Sequence, residues 1–222
     1  MKKENLYSDL KRQILTMELE PGTSLDETTL SEEYQISRTP LREVFRRLAG
    51  EGYLEIVSNR GATVASMSHK TLRNFFMTAP MLYAAVGRLA AMNATPKQIE
   101  SLRSAQREFR NAALRQDSEG LIFWNDRFHA LMGEMAANPY LKPSYDRLLI
   151  DHARISQTFY RPHDPDMTHN MQQALDQHDA MIECIVNGQA ETMVELIRQH
   201  WDLSRSHMER YVRPDPLPIE NP

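Results

Sequence analysis

The sequence predicts a mainly α-helical protein with two domains, and three observations support this fold class. Residues 1–67 contain short elements interrupted by glycine and proline, whereas residues 68–212 contain long stretches of helical periodicity with few breaks. The 222 residues, 41% of them hydrophobic, can supply a core for each part. The proline-rich segment 213–222 is expected to be a flexible tail.

Three helices are expected in the first domain. Apolar residues at helical spacing predict a helix that ends before the turn at residues 20–23, and a second, short helix runs from about Glu27 to Tyr34. The third covers residues 38–49, where an apolar stripe is formed by Leu41, Val44, Phe45 and Leu48. Ser37 or Thr39 can cap this helix, and Pro40 is tolerated in its first turn.

A β-hairpin is predicted after the third helix. The runs YLEIV and ATVAS are β-prone and flank the turn SNRG. Two helices joined by a tight turn and followed by a hairpin form a winged helix-turn-helix, in which the second helix of the motif enters the DNA major groove.

The third helix carries its positive charge on the side opposite its apolar stripe. Arg38, Arg42 and Arg46 are spaced i, i+4, i+8, and Thr39 lies beside them. Guanidinium groups suit this place because they bind guanine edges or phosphate. Alone, such a face is as often an ordinary solvated surface. The neighbouring short helix and hairpin favour DNA binding, with Arg60 and Gly61 at the wing tip approaching the backbone.

The segment LEPGTSLDETTLSEEYQISRTPLREVFRRLAGEGYLEIVSNRGATV resembles the N-terminal domain of GntR-family bacterial transcription regulators. The shared pattern is L-x-P-G, S-R-T-P-L-R-E, R-L-x-x-E-G and R-G-x-x-V. The resemblance implies binding to a pseudo-palindromic operator as a homodimer, through Arg38, Thr39, Arg42, Arg46, Arg60 and Gly61. Arg47 lies off this face and is expected to meet phosphate or solvent.

Six helices are predicted in the second domain, at about 68–93, 95–116, 119–136, 140–160, 167–187 and 189–211. Ser68 is expected to cap the first, and Thr95 with Gln98 to form a capping box. The helical spacing points His129, His178 and His200 inward from three helices, with Asn125 one turn before His129. These side chains could converge on a divalent metal ion or be hydrogen-bonded core residues, and periodicity alone leaves both open.

The second domain resembles the FCD effector domain of the FadR-like subfamily, an antiparallel helical bundle. NDRFH, DQHDAMI and IRQHWDL fall where that family carries its metal ligands, so the resemblance implies Asn125, His129, His178 and His200 as ligands. Zinc is the first candidate, with nickel or another transition metal as alternatives. Because the family usually has Asp at the first position, either Asn125 is a weaker ligand or Asp126 replaces it.

The resemblance further implies a small carboxylate effector, for which Arg154 is the candidate cation; a surface salt bridge is the alternative role of this residue. We therefore expect a transcription regulator, more often a repressor in this family, and not an enzyme. Two alternatives remain: the same regulator with a metal-free effector pocket, and, with less support, a metal-dependent enzyme, for which no HExxH-type pattern exists.

The composition limits which other kinds of protein the chain can be. Cys184 is the only cysteine, so an internal disulfide or a CxxC zinc ribbon is excluded. The net charge of -4 argues against a generally basic surface but allows one basic face. The N-terminus lacks the apolar stretch of a signal peptide, and no segment reads as a membrane span of about 18 apolar residues. We expect a cytoplasmic protein.

Overall fold

The computed structural model describes residues 2–57, 61–159 and 165–212. Its first part contains three helices and three strands, in the order α1 (Lys2–Leu15), β1 (Ser24–Leu25), α2 (Glu27–Glu33), α3 (Arg38–Glu51), β2 (Leu54–Val57) and β3 (Gly61–Val64). The strands form an antiparallel sheet with the order β1-β3-β2. Strand β1 was not predicted, because two residues are too short to display a period.

Helix α3 buries the apolar stripe that the sequence predicts. Leu41, Val44, Phe45 and Leu48 are almost fully buried. The helix ends at Gly52, whose φ of 94° is the left-handed conformation that favours glycine. Ser37 is the N-cap residue but makes no side-chain capping bond, so the first amide groups of α3 are not satisfied by that hydroxyl.

The second part is a bundle of six helices: α4 (His69–Asn93), α5 (Pro96–Arg115), α6 (Ser118–Ala136), α7 (Lys142–Phe159), α8 (Pro165–Val186) and α9 (Ala190–Val212). The predicted caps are present, since Ser68 accepts a bond from the Thr71 amide and Thr95 forms a capping box with Gln98. The wing tip with Arg60 and the predicted flexible tail, 213–222, lie outside the described residues.

Helix α4 is long and apolar enough to cross a membrane, by length and composition only, with a mean hydropathy of 1.3 over 18 residues. The sequence reading did not identify such a segment. In the structure α4 packs against α6 and α9, and Phe75, Ala79, Tyr83, Val86 and Ala90 on it are buried. Its apolar composition is therefore accounted for by its place in the bundle core.

Helix α7 connects the bundle to the first part of the chain. Ile150 belongs to the hydrophobic cluster of α1, α3 and the sheet. Arg154 Nη2 donates to the carbonyl oxygen of Ala65 at 2.7 Å, and Gln157 Nε2 donates to that of Leu15 at 2.8 Å. Arg147 lies so close to Gly52 that a Cβ there would be 2.2 Å from its Cδ. One helix of the bundle thus touches α1, α3 and the end of the sheet.

Candidate DNA-binding face and candidate metal centre

The exposed side of α3 carries the predicted basic residues. Arg38, Thr39, Arg42 and Arg46 are all exposed. Together with α2 and the hairpin, three of these arginines line a groove of about 560 Å³ whose other wall includes Ile56 and Gly61. The groove offers guanidinium groups beside an open surface, as DNA contact requires.

Two of these arginines are held by neighbouring polar groups. Arg42 donates through Nε to both carboxylate oxygens of Glu27, at 2.9 and 3.0 Å, and Arg38 Nη2 lies 3.4 Å from Thr28 Oγ1. No hydrogen bond or ion pair joins Arg46 to another residue in the described part of the chain. Glu27 is the more buried partner, with 18% of its side chain exposed against 56% for Arg42, so it orients a guanidinium that still faces solvent.

Gly61 begins β3 beside this groove. Its φ is 84°, and a Cβ would be 2.9 Å from the carbonyl oxygen of Leu25. Both features require glycine for the local fold, independently of any approach to DNA.

Arg47 lies off the basic face of α3 and is exposed, in keeping with the expectation that it meets phosphate or solvent, but it also contacts α1. Its guanidinium stacks on the Tyr7 ring, 3.6 Å from the centroid, and bonds to Glu4 and Glu51. Burial and the hydrogen bond to Glu51 raise the pKa of Tyr7 to about 12. Arg47 therefore helps to join α3 to α1.

The three predicted histidines come together inside the bundle. His129 on α6, His178 on α8 and His200 on α9 offer ring nitrogens that all lie within 4.8 Å of one another. In a tetrahedral zinc site with bonds of about 2.0–2.1 Å the nitrogens are about 3.4 Å apart, so the three side chains are close enough to share one ion after a small movement. Asn125, one turn before His129, is 3% exposed.

Several buried polar atoms of this cluster lack hydrogen-bond partners among the described residues. They are Asn125 Oδ1, both ring nitrogens of His129 and His178 Nε2. Such atoms are costly in a folded interior unless something binds them. Lone pairs of neutral imidazole and an amide oxygen are donors for a divalent transition metal, so the residues fit such an ion.

The imidazoles are held in the neutral state that binds metal. Burial, with a smaller contribution from the neighbouring histidines, lowers the pKa of His129 and His178 well below the usual value. Burial likewise lowers the pKa of His200 to about 3. None of them therefore has to lose a proton at neutral pH before binding a cation.

Two glutamines contact the Nδ1 atoms of His178 and His200. Gln106 Oε1 lies 3.1 Å from His178 Nδ1, and Gln177 Oε1 lies 2.8 Å from His200 Nδ1. Both amides are buried. Sequence reasoning did not single them out, because glutamine at a helical position gives no signal of its own.

His152 on α7 also belongs to this region, although the sequence reading gave it no role. Its Nδ1 is 2.5 Å from the Tyr83 hydroxyl, and its ring centroid is 5.0 Å from that of His129. Burial lowers its pKa to about 4. The sequence signal that could have identified His152 is its spacing from the apolar residues Leu148 and Ile155, which puts all three on one helical face.

A cavity of about 10 Å³ lies beside the cluster. It is lined by Tyr83, His129, Met132, His152, Met181, Ile197, His200 and Trp201.

Asp126 does not replace Asn125 in the cluster. The group of described metal-binding side chains contains three histidines and no carboxylate. Burial raises the pKa of Asp126 to about 6, and the charges that act on it are Lys11, Arg127 and Asp146. Lys11 on α1 is the first of these charges, and Asp126 is not among the described side chains that could share a metal ion with the three histidines.

Arg154 is buried between the two parts of the chain. Its Nη1 donates to Asp151 Oδ1 at 3.2 Å, and its Nη2 to the Ala65 carbonyl. Only 1% of the residue is exposed. The effector contact expected of Arg154 stays a prediction, and these bonds give the guanidinium a structural role.

Each of the two parts of the chain matches the model of a known protein family. Residues 2–64 match the model of the bacterial regulatory proteins of the gntR family, and residues 80–203 match that of the FCD domain. The HTH-type transcriptional repressor RspR of Escherichia coli K12 is 32% identical over 133 residues, which are 60% of this chain and 58% of that protein. The chain thus covers less than two thirds of this relative.

Two further known proteins are similar to this chain over more than nine tenths of its length. The uncharacterized HTH-type transcriptional regulator YdhC of Bacillus subtilis is 24% identical over 204 residues, 91% of this chain and 88% of its own length. The solved structure of E. coli McbR/YncC superposes with a TM-score of 0.71 at 20% identity, covering 95% of this chain and 99% of that chain. The chain belongs to the GntR family of DNA-binding transcriptional regulators, with an FCD effector domain in its C-terminal part.

Proposed function

We propose that this chain is a cytoplasmic, homodimeric repressor whose affinity for a pseudo-palindromic operator changes when a divalent metal ion and a small organic-acid or sugar-acid effector occupy the bundle. The observation that carries the proposal is the convergence of His129, His178 and His200, together with unpartnered buried atoms on Asn125, His129 and His178, in a chain whose α3 exposes a row of arginines. Repression is supported by the name of the E. coli relative.

On the DNA side, Arg46 and Arg42 are assigned to base edges, with Arg38 and Thr39 beside them. Arg60 and Gly61 at the wing are assigned to the sugar-phosphate backbone. Arg46 has no bonded partner in the described chain, and Arg42 is oriented by Glu27, so both can meet bases without breaking the fold. Operator fragments selected from genomic DNA should bind with an affinity that falls steeply with salt. Binding that is insensitive to salt would contradict this assignment.

On the metal side, Asn125, His129, His178 and His200 would hold the ion, and zinc fits three imidazoles best among common metals. A bound ion would supply a Lewis-acidic position for an effector oxygen. Metal analysis of protein purified without added metal should find about one equivalent, and His178→Ala should remove it. If wild type and His178→Ala contain equally little metal, the metal-free effector pocket replaces this proposal.

The effector cannot enter without moving side chains. The cavity beside the cluster has a volume of about 10 Å³, which is enough for one water molecule or one ion. Binding of an organic acid must therefore displace parts of its lining, which includes His152 on α7. Arg154 Nε has no hydrogen-bond partner among the described residues, so an effector contact at this atom would leave the bonds to Asp151 and Ala65 in place.

Helix α7 offers a route from this site to the DNA-binding part. His152 lines the cavity, whereas Ile150, Arg154 and Gln157 on the same helix contact the first part of the chain. An effector that binds better to one position of α7 shifts the population of that position, and operator affinity changes by the same coupling factor.

Dimerisation is assigned to exposed apolar residues of α4. Met77 and Met81 are 69% and 67% exposed in the single chain and lie on one face of the helix, four residues apart. A second copy would cover them. Sedimentation should give a dimer for wild type and a monomer for the double variant Met77→Glu/Met81→Glu; an unchanged dimer would exclude this face.

Binding, and not catalysis, is the proposed role of the cluster. The metal-binding group in the described chain contains no carboxylate that could act as a general base. Release of product from a candidate ester or amide by the metal-loaded protein, absent in His178→Ala, would overturn this point.

A further inference from the structure

Glu27, at the start of α2, forms an ion pair with Arg42 on the DNA-binding face. We infer that Glu27 is a positioning residue for sequence recognition: it holds one edge of the Arg42 guanidinium, so that Arg42 offers DNA the edge that fits guanine and is withheld from phosphate. This inference rests on the proposed operator binding and deepens it by naming the base that Arg42 recognises.

Glu27 is held in place from two sides. Asp26 caps α2 by accepting a hydrogen bond from the Thr29 amide at 2.7 Å, which fixes the backbone at the start of the helix. A Cβ at Gly61, the first residue of β3, would lie 3.6 Å from Glu27 Cγ, so the stem of the side chain packs against the hairpin. Only 18% of the Glu27 side chain is exposed. Its carboxylate therefore has little freedom to leave its position beside α3.

The contact occupies one particular edge of the Arg42 guanidinium. Nε donates to both carboxylate oxygens of Glu27, at 2.9 and 3.0 Å, and Nη2 lies 2.9 Å from Oε2. A guanidinium has five N–H groups in a fixed fork, and the pair at its far end, one on Nη1 and one on Nη2, takes no part in this contact. Guanine O6 and N7 accept such a pair of N–H groups. Arg42 is thus set up to meet a guanine end-on.

The same contact reduces the attraction of Arg42 for phosphate. The Glu27 carboxylate compensates the charge of Arg42 and would repel a phosphate that approached the same guanidinium. A guanine edge carries no net charge and is affected less. Arg38 contacts only the Thr28 hydroxyl at 3.4 Å, and neither Arg38 nor Arg46 forms an ion pair with any residue that the structure describes. The charges of these two arginines therefore stay available to base edges and phosphate alike.

The ion pair is better explained by recognition than by stability. Exposed ion pairs contribute little to folding, and 56% of the Arg42 side chain is exposed. We therefore expect the loss of the Glu27 charge to leave the fold intact and to change how the protein binds DNA.

The test is fluorescence anisotropy with one operator fragment selected from genomic DNA and with a scrambled duplex of the same composition. Single guanines of the operator are replaced by 7-deazaguanine, which lacks the N7 acceptor. For wild type, this change at one guanine in each half-site should lower the affinity by at least about fivefold. Arg42→Ala should abolish that loss, and Glu27→Gln should abolish most of it.

The scrambled duplex reports the effect on phosphate. Glu27→Gln should bind it more tightly than wild type, because Arg42 is then free to neutralise a phosphate. The slope of log affinity against log salt should steepen by about one for each DNA-binding domain.

Glu32→Gln is the matched control. Glu32 is exposed on the same helix and does not line the groove that contains Arg42, so this variant should behave as wild type in both measurements. A double-mutant cycle separates positioning from a general change in charge: in an Arg42→Ala background, Glu27→Gln should no longer alter the salt slope on the scrambled duplex.

The inference is overturned if Glu27→Gln keeps the guanine preference and the salt slope of wild type, if its effect on the slope persists without Arg42, or if Arg42→Ala relaxes the preference at no guanine. Should Glu27→Gln not fold, Arg42→Lys decides, because lysine keeps the charge but lacks the fork. Retention of the guanine preference in Arg42→Lys would also overturn the inference. Failure of the proposed operator binding would look different, since wild type would then bind the selected and scrambled duplexes equally.

Discussion

Replacing Arg154 by methionine tests whether this buried guanidinium fastens the bundle to the DNA-binding part. Its side chain is completely buried and bridges Asp151, of which 7% is exposed, to the Ala65 carbonyl. Methionine is similar in length and apolar, so it fills the space while removing both bonds. The variant therefore isolates the polar contacts from the packing.

The expected magnitude follows from two opposing effects. Removing one partner of a buried ion pair costs about 3–5 kcal/mol, because the remaining charge stays buried. Part of this is recovered, since burial of the guanidinium is itself unfavourable, as the lowered pKa of Arg154 indicates. Arg147 also continues to neutralise Asp151 through a bond of 2.9 Å. We expect a net loss of about 2–3 kcal/mol in the free energy of unfolding.

Arg147→Met is the matched control. Arg147 binds the same carboxylate, but 36% of its side chain is exposed, so its loss should cost about 1 kcal/mol or less. Urea unfolding followed by circular dichroism measures both. The reasoning is refuted if Arg154→Met unfolds within about 1 kcal/mol of wild type, or if Arg147→Met is the more destabilised variant.

Three further predictions concern the DNA-binding face, the hairpin and the histidines. Arg46→Ala should weaken operator binding by about 1–3 kcal/mol and relax the preference at one base pair; fluorescence anisotropy on mutated operators checks this, and a uniform loss over all sequences would contradict it. Gly61→Ala should destabilise the fold by about 1–3 kcal/mol, more than Gly22→Ala, because both have a φ of 84° but only the former would bring a Cβ against a backbone oxygen; equal thermal stability would refute the steric argument. In metal-free protein, the free energy of unfolding should fall as the pH drops from about 6.5 toward 4, by up to about 1.4 kcal/mol per pH unit for each buried histidine. The sign follows because burial lowers the folded-state pKa values, to about 3 for His200 and about 4 for His152, so that these histidines take up protons in this range only in the unfolded chain. The raised pKa of Asp126, about 6, acts in the opposite direction but is a single group against several histidines; urea midpoints that do not change with pH would contradict the prediction.

Much of the fold follows from local sequence signals. The stripe of α3 and the caps at Ser68 and Thr95 are confirmed, because burial of one helical face and satisfaction of end amides act within a few residues. The positions of His129, His178 and His200 on three helices were likewise predictable, since each lies on an apolar face. Their convergence was not, because helical periodicity gives direction but no distance between helices.

The missed features depend on contacts between distant segments. The sequence offers Arg154 as a candidate cation for the effector but does not reveal that its partners include Ala65, 89 positions away in the chain. Gln106 acquires its role only when α8 packs beside α5 and brings His178 to its amide oxygen. Asp126 is adjacent to Asn125, but one position along a helix turns a side chain by about 100°, and this separates the carboxylate from the cluster.

The central claim is that occupancy of the histidine cluster controls operator affinity. The most direct test is an anisotropy titration of one selected operator with metal-loaded and metal-stripped protein, for wild type and His178→Ala. We predict that loading changes the operator affinity of wild type by at least about fivefold and leaves His178→Ala unchanged. Equal affinities of loaded and stripped wild-type protein would contradict the account.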